Sequence, residues 1–233
     1  MPSLDNRPRA RRQTIAATII VLVGLSLAGC GGMVDATDNA GMTRAEVAEL
    51  TLQEEFELYG QRYDRAHELL TDAQLQISDG PWFWVETGLL PRSGYAGGVR
   101  GTTLPGSDGD TSYDVTDSRV IQPPGATGSA ADLEPMRRYY KENGWRVEEQ
   151  AAGGWKSVWG RSNDGYWLEY TVHTNGNYSL VVRSELYWTN DQPALESAIS
   201  DLTPGSFADG TYPRESLPDD YIPFPEWSDA VTR

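Results

Sequence analysis

The sequence predicts an α+β two-layer sandwich, with a long N-terminal helix and one shorter helix packed on an antiparallel sheet that ends in a β-meander. Three observations carry this. Apolar or small residues recur at alternating steps of four and three from Leu52 to Ile77, the stripe of a helix that buries one face. Short alternating segments separated by glycine turns fill residues 145–188, the pattern of consecutive hairpins. One further helix signal stands between a strand and those hairpins, so helices and strands do not alternate regularly as they would in a parallel sheet.

Thr43 to Ser78 reads as the long helix. Thr43 with Glu46 forms a capping box. Leu52, Phe56, Tyr59, Tyr63, Ala66, Leu70, Ala73 and Ile77 make the stripe, and Glu54, Glu55, Gln61, Arg62 and Glu68 make a polar back. A heptad-like stripe also suits a coiled-coil dimer seam. Gly60 and the two alanines would make a weak zipper, so the stripe is expected to lie across the sheet. Asp79-Gly80-Pro81 stops the helix.

Trp82 to Thr87 is a strand, and Leu89 to Thr111, rich in Gly, Ser, Pro and Asp, is a long surface loop. Ser112 to Gln122 is a second strand, ended by Pro123-Pro124-Gly125. The shorter helix is expected to be capped by Asp132, which places Pro135 in the first turn where a missing N–H costs little. Leu133, Met136 and Tyr140 lie on one face of it, and Asn143-Gly144 ends it. Four strands follow: 145–150, 155–161, 166–174 and 178–188, turning at Gly153-Gly154, Asn163-Asp164-Gly165 and Asn175-Gly176. Tyr166, Leu168, Tyr170 and Val172 share one face, and Tyr178, Leu180, Val182 and Leu186 share another. Residues 189–233 hold a short helix at Ala194 to Leu202 and a proline-punctuated tail, where Tyr221, Ile222, Phe224 and Trp227 are apolar enough for some to dock on the domain.

The N-terminus sets the expected location. Arg7, Arg9, Arg11 and Arg12 precede an uncharged apolar run from Ile15 to Leu27. That run is too short for a membrane-spanning helix of about 20 residues and suits a secretory leader. The sole cysteine, Cys30, ends the sequence Leu27-Ala28-Gly29-Cys30, which resembles the lipobox of bacterial lipoproteins. The resemblance implies a signal peptide at 1–29 cleaved before Cys30, a diacylglycerol thioether on Cys30 with further acylation such as palmitate, and a flexible tether over 30–42. The partner so implied is the membrane, reached through that lipid, with the protein on the extracytoplasmic face of the cell membrane. Arg11-Arg12 leaves both general and twin-arginine export open. The α+β domain then spans 43–188 and the helix with its tail 189–233.

The first thirty residues carry four arginines and one aspartate, which leaves 15 basic and 33 acidic residues and a charge of about −18 for the rest. Such a surface repels nucleic acid and anionic headgroups, so a nucleic-acid partner is not expected. With Cys30 lipidated, no disulfide, cysteine nucleophile or cysteine-ligated zinc is available. The segment Tyr139-Tyr140-Lys141-Glu142-Asn143-Gly144-Trp145, followed by hairpins at Asp164-Gly165 and Asn175-Gly176, resembles the single domain of many small uncharacterised lipoproteins of high-GC Gram-positive bacteria. The likeness covers about seventy residues. Many such relatives close the meander with a cysteine where this chain has Tyr187-Trp188, and the family brings no catalytic residues to carry over.

No catalytic residue and no cofactor is expected. GxSxG, P-loop, HExxH and GxGxxG patterns are missing from the sequence. His67 and His173 stand far apart without ligand-spaced partners and are read as packed or solvated. Asp108, Asp110, Ser112 and Asp114 alternate like the opening of a calcium loop, but the glycine is misplaced and no glutamate closes the set. No metal site is expected. The eight tryptophans are the informative surplus. Trp82 with Trp84, and Trp155 with Trp159, fall on common strand faces, and Trp167 points away from the Tyr166–Leu168 face. Such aromatics either fill a core or bind sugar rings and partner side chains. Trp167, Trp155, Trp159 and Trp82 are therefore the candidate ligand-binding residues. The expected role is a non-enzymatic binding or scaffold domain, with cell-wall glycan or a wall protein as partner in one alternative and an unrecognised hydrolase in another.

Overall fold

The computed structural model describes residues 35–85, 88–94, 103–203 and 214–228. Leu27, Ala28, Gly29 and Cys30 lie outside the described residues. The fold is α+β. Among the described residues, helices α1 (Arg44–Val47), α2 (Leu52–Leu75), α3 (Glu134–Glu142) and α4 (Gln192–Leu202) accompany ten short strands: β1 (Trp82–Trp84), β2 (Arg92–Ser93), β3 (Ser112–Asp114), β4 (Thr116–Ile121), β5 (Arg146–Ala152), β6 (Trp155–Arg161), β7 (Tyr166–His173), β8 (Tyr178–Ser184), β9 (Tyr187–Trp188) and β10 (Glu215–Ser216). A seven-stranded sheet has the order β10-β1-β4-β8-β7-β6-β5, and a three-stranded sheet the order β2-β3-β9. All pairings are antiparallel. The meander β5–β8 takes the expected turns, with Gly165 and Gly176 at φ +82° and +83°, values that exact little from a residue without Cβ.

The stripe on α2 is buried by the sheet of its own chain, not by a dimer partner. Phe56, Tyr59, Tyr63, Ala66, Leu70 and Ala73 join Val158, Leu168, Tyr170, Leu180 and Val182 in one core. The single helix expected over 43–78 is two. Thr43 and Glu46 form the expected box, and Thr51 with Glu54 forms a second one. That second box starts a new helix at Leu52. Asn190 stabilises the break, donating from Nδ2 to the Val47 and Leu50 carbonyls at 3.0 and 3.2 Å. Glu55, expected on the polar back, instead turns inward and accepts from Thr189 Oγ1 and from the Asn190 N–H.

Two expected strands are each divided between the sheets. Residues 112–122 split at Val115 into β3 and β4, and 178–188 split into β8 and β9. Ser184 makes the corner. Its N–H donates to the Val115 carbonyl at 2.9 Å, and its Oγ accepts the Val115 N–H at 2.9 Å. A side-chain hydroxyl thus replaces a ladder carbonyl, which lets both strands leave the sheet together without an orphaned amide. Within the expected 89–111 loop, Arg92–Ser93 is a strand paired with Tyr113–Asp114.

The entry to α3 differs from the Asp132 cap. A 3₁₀ turn over Ala130–Leu133 begins at Ser129 and runs into α3, with Pro135 in the first turn of that helix. The Asp132 carboxylate faces back, accepting from the Ser129 N–H at 3.0 Å, from Thr127 Oγ1 at 2.9 Å and from the Tyr178 hydroxyl. Burial opposes its ionisation, but these donors outweigh it and hold the carboxyl down at about 2.

Residues 35–42 are not a free tether. Asp38 accepts from the Ala40, Met42 and Trp188 amides at 2.8, 3.0 and 3.2 Å, and Trp188 Nε1 donates to the Ala36 carbonyl at 3.2 Å. The C-terminal segment docks on α2. Ile222 is buried, and Phe224 lies against Phe56, Tyr59 and Tyr63 with centroids 4.8, 5.7 and 5.6 Å away. No described helix is long and apolar enough to cross a membrane.

Candidate binding face

The seven-stranded sheet has two chemically different faces. The buried side chains of α2, α3 and α4 join one core on the first face. The registers Trp159↔Glu169, Arg161↔Trp167 and Trp167↔Arg183 place Trp155, Trp159, Arg161, Trp167, Glu169 and Arg183 together on the second, since alternate residues share a face. This face mixes flat aromatic rings with hydrogen-bonding groups.

Trp159 is half-buried and donates from Nε1 to Ser157 Oγ at 3.1 Å. Its ring meets Trp167 edge to face, with centroids 6.4 Å apart and planes at 76°, a geometry favoured by the ring quadrupoles. Trp155 is also half-buried, at the start of β6 opposite His173. Arg161 pairs with Glu185 at 2.6 Å and lies 5.9 Å from the Trp167 ring centroid. Arg183 donates to Thr116 Oγ1 at 3.1 Å, and Thr171 Oγ1 donates to Glu169 at 3.0 Å.

Two of the four expected surface aromatics are not on the surface. Trp82 is on the core face and fully buried, donating from Nε1 to the Ser78 carbonyl at 3.2 Å. Trp167 faces away from the core as expected, but it is only 4 % exposed. Its strand lies between β6 and β8, so the long side chains at 161 and 183 flank it on both sides. Its indole N–H is buried and without a hydrogen-bond partner among the described residues. Trp155 and Trp159 remain as the accessible pair.

Alternation on β4 places a charged cluster in the core that sequence reading missed. Asp117 and Arg119 point toward α2 with Ile121, because Arg119 is opposite Leu180 and Asp117 opposite Val182. Arg119 donates to Asp117 and to the Ser118 carbonyl, and its guanidinium lies 3.9 Å from the Trp84 ring centroid. His67 faces Asp117 from α2, between Tyr63 and a stacked Tyr221 at 4.3 and 4.5 Å. Burial, with the Arg119 charge adding to it, lowers the His67 pKa to about 3, so the imidazole is neutral at physiological pH. The available signal was the spacing of Asp117 and Arg119 from Ile121 by even steps.

The candidate calcium loop closes on itself. The Asp108 carboxylate accepts from Asp110 N–H, Thr111 N–H and Thr111 Oγ1 at 3.1, 2.9 and 2.6 Å, while Asp114 pairs with Arg92 and Thr116. Among the described residues no three acidic, histidine or cysteine side chains converge to hold a metal ion. Comparison with protein-family models, with curated proteins and with solved structures finds no match for this chain.

Proposed function

We propose that this protein is an extracytoplasmic lipoprotein, held by lipid on Cys30, whose domain is a non-enzymatic binding or scaffold module at the outer face of the cytoplasmic membrane. The anchor rests on the order of basic residues, apolar run, small residues and Cys30. Each buried methylene contributes about 0.8 kcal/mol, so two or three acyl chains hold a protein on a bilayer where one does not.

The observation that carries the binding role is that, among the described residues, the helices pack on the first face of the large sheet while Trp155, Trp159, Arg161 and Glu169 stand half-buried on the second. Flat rings beside hydrogen-bonding groups are the chemistry that sugar rings require. This favours cell-wall glycan, or a wall-associated protein, as the ligand.

The anchor is tested by labelling with radioactive palmitate, with Cys30→Ala as control. Label in wild type alone is expected, and equal label in both would end the claim. The face is tested by sedimentation with purified cell wall. Trp159→Ala is expected to lower the bound fraction severalfold with little change in Tm. Unchanged binding would remove the face from the site.

A further inference from the structure

The large sheet ends differently at its two edges. Among the described residues β10 closes one edge with two residues, whereas β5 leaves seven, Arg146–Ala152, at the other. Short or charged edge strands guard a sheet against pairing with other chains. β5 is charged only in its first half, at Arg146, Glu148 and Glu149, while Gln150-Ala151-Ala152 is uncharged and exposed. The register shows which backbone groups this edge offers. The Ser162 N–H donates to the Tyr166 carbonyl at 2.8 Å and the Thr174 N–H to the Gly154 carbonyl at 2.9 Å. Hydrogen-bonded pairs recur at every second residue of an antiparallel ladder, so Lys156, Val158 and Gly160 bond to β7 and the residues between them bond to β5. Their β5 partners are Arg146, Glu148, Gln150 and Ala152. The N–H and C=O groups of Val147, Glu149 and Ala151 therefore point outward, where no described strand lies.

A pocket of about 350 Å³ opens at this same edge, between the strands and the 3₁₀ turn into α3. Ala130, Leu133 and Ala151 give it an apolar lining, and two cations stand in it. Arg137 is neutralised by Glu149, which accepts from Nε and Nη2 at 2.8 Å each. Lys156 is half-buried, and its ammonium donates to the Gly128 carbonyl at 2.9 Å. No carboxylate of the described residues pairs with it, in a chain whose formal net charge is −15. Lys156 is opposite Ala151 in the register, so only a methyl group stands between the open edge and the ammonium on that face.

We infer that β5 is a docking edge for an extended, acidic peptide segment of a partner protein. The segment adds as a further strand and exchanges hydrogen bonds with Val147, Glu149 and Ala151. One of its glutamates crosses Ala151 into the pocket, where its methylenes lie over Ala130 and Leu133 and its carboxylate pairs with Lys156. A basic segment would set a like charge against Lys156. A second copy of this chain fits less well, because pairing β5 antiparallel with itself over its full length puts Glu149 opposite Glu149, and like charges directly opposite destabilise a sheet. The edge is separate from the Trp155–Trp159 face, and the inference rests neither on that face nor on the anchor.

The test is amide hydrogen exchange of the ¹⁵N-labelled full-length protein in a zwitterionic detergent. The probes are the peptide acetyl-Thr-Val-Thr-Glu-Thr-Val-Thr-amide and its versions with Gln or Lys in place of Glu. Without peptide, Val147, Glu149 and Ala151 are expected to exchange faster than Glu148 and Gln150 between them. The glutamate peptide is expected to slow those three amides severalfold and saturably. The glutamine peptide is expected to bind about threefold to fivefold more weakly, the scale of a half-exposed ion pair, and the lysine peptide more weakly still. In Lys156→Gln the glutamate and glutamine peptides are expected to bind alike, and unchanged exchange along β7 and β8 reports that the variant is folded. No slowing at the three edge amides, equal binding of the glutamine peptide to wild type, or an undiminished preference for glutamate in folded Lys156→Gln would each overturn the docking edge. Protection of the same amides that grows with protein concentration before peptide is added would assign the edge to a second copy and overturn it as well.

Discussion

His67 Nε2 lies 3.4 Å from Asp117 Oδ2, with the two side chains 3 % and 1 % exposed. Arg119 completes the group from the other side of Asp117, so a carboxylate, a guanidinium and a neutral imidazole share the core beneath the docked C-terminal segment. The charges of Asp117 and Arg119 cancel locally. That is the condition on which ions are tolerated away from water.

The imidazole gives the fold a pH dependence of known sign. Burial first and Arg119 second hold its pKa at about 3, below the ordinary 6.5. The unfolded chain binds a proton near 6.5 and the folded one does not, so the contribution is complete above 6.5 and is lost as pH falls toward 3. The limiting slope is about 1.4 kcal/mol per pH unit. Urea unfolding of wild type and His67→Gln between pH 7.5 and 4.5 checks this. The wild type is expected to lose stability more steeply below 6.5, and parallel curves would show the imidazole protonating freely in the fold.

Asp117 and Arg119 are expected to be strongly coupled. Asp117→Asn removes the carboxylate that pairs with the buried Arg119 guanidinium, at a cost of about 3–5 kcal/mol. Arg119→Met alone removes the guanidinium that pairs with the buried Asp117 carboxylate, with a similar cost. The double variant removes both charges and is expected to cost far less than the two singles added. A double-mutant cycle by chemical denaturation measures this, and additive losses would mean that the pair is solvated.

Trp167 separates ring from donor. Truncation to alanine empties a buried site on the second face and is expected to cost about 3–5 kcal/mol. Trp167→Phe keeps an aromatic ring and removes an indole N–H that has no partner among the described residues. Relief of that unpaired donor, worth about 1–3 kcal/mol, offsets much of the lost contact. The phenylalanine variant is therefore expected within about 1 kcal/mol of wild type by thermal unfolding. A loss as large as that of alanine would show that the N–H is satisfied.

The parts of the fold legible in the sequence are those set by local rules. The stripe on α2, the glycine turns at 165 and 176 and the alternation of β7 are one-dimensional signals, and each is where the pattern places it. The parts that were not legible depend on distant partners. Thr51 with Glu54 repeats the spacing of Thr43 with Glu46, but the break there is settled by Asn190, which satisfies the carbonyls of the turn before it. Residues 112–122 read as one strand because the corner at Val115 is made by Ser184, 69 residues away. Trp167 was placed on the correct face, but its exposure is set by side chains on both neighbouring strands. Asp117 and Arg119 sit at core positions on β4, and only the tertiary pairing of the two makes that tolerable.

Gly60 gives the sharpest test of the docked C-terminal segment. A glycine inside a helix normally costs about 1 kcal/mol relative to alanine, so Gly60→Ala should stabilise an unobstructed α2. Here a Cβ would stand 2.7 Å from Phe224 Cδ1 and 2.8 Å from Cε1. The ring cannot swing aside easily, since it is held among Phe56, Tyr59 and Tyr63, while Ile222 just before it is fixed by Tyr63, whose hydroxyl donates to the Ile222 carbonyl at 2.6 Å. Overpacking of this kind costs about 1–3 kcal/mol and exceeds the helix gain. Gly60→Ala is therefore expected to lower Tm and to speed proteolysis of the C-terminal segment. In a Phe224→Ala background the obstruction is gone, and the same substitution is expected to raise Tm. A gain in both backgrounds would mean that Phe224 does not rest on this helix in solution.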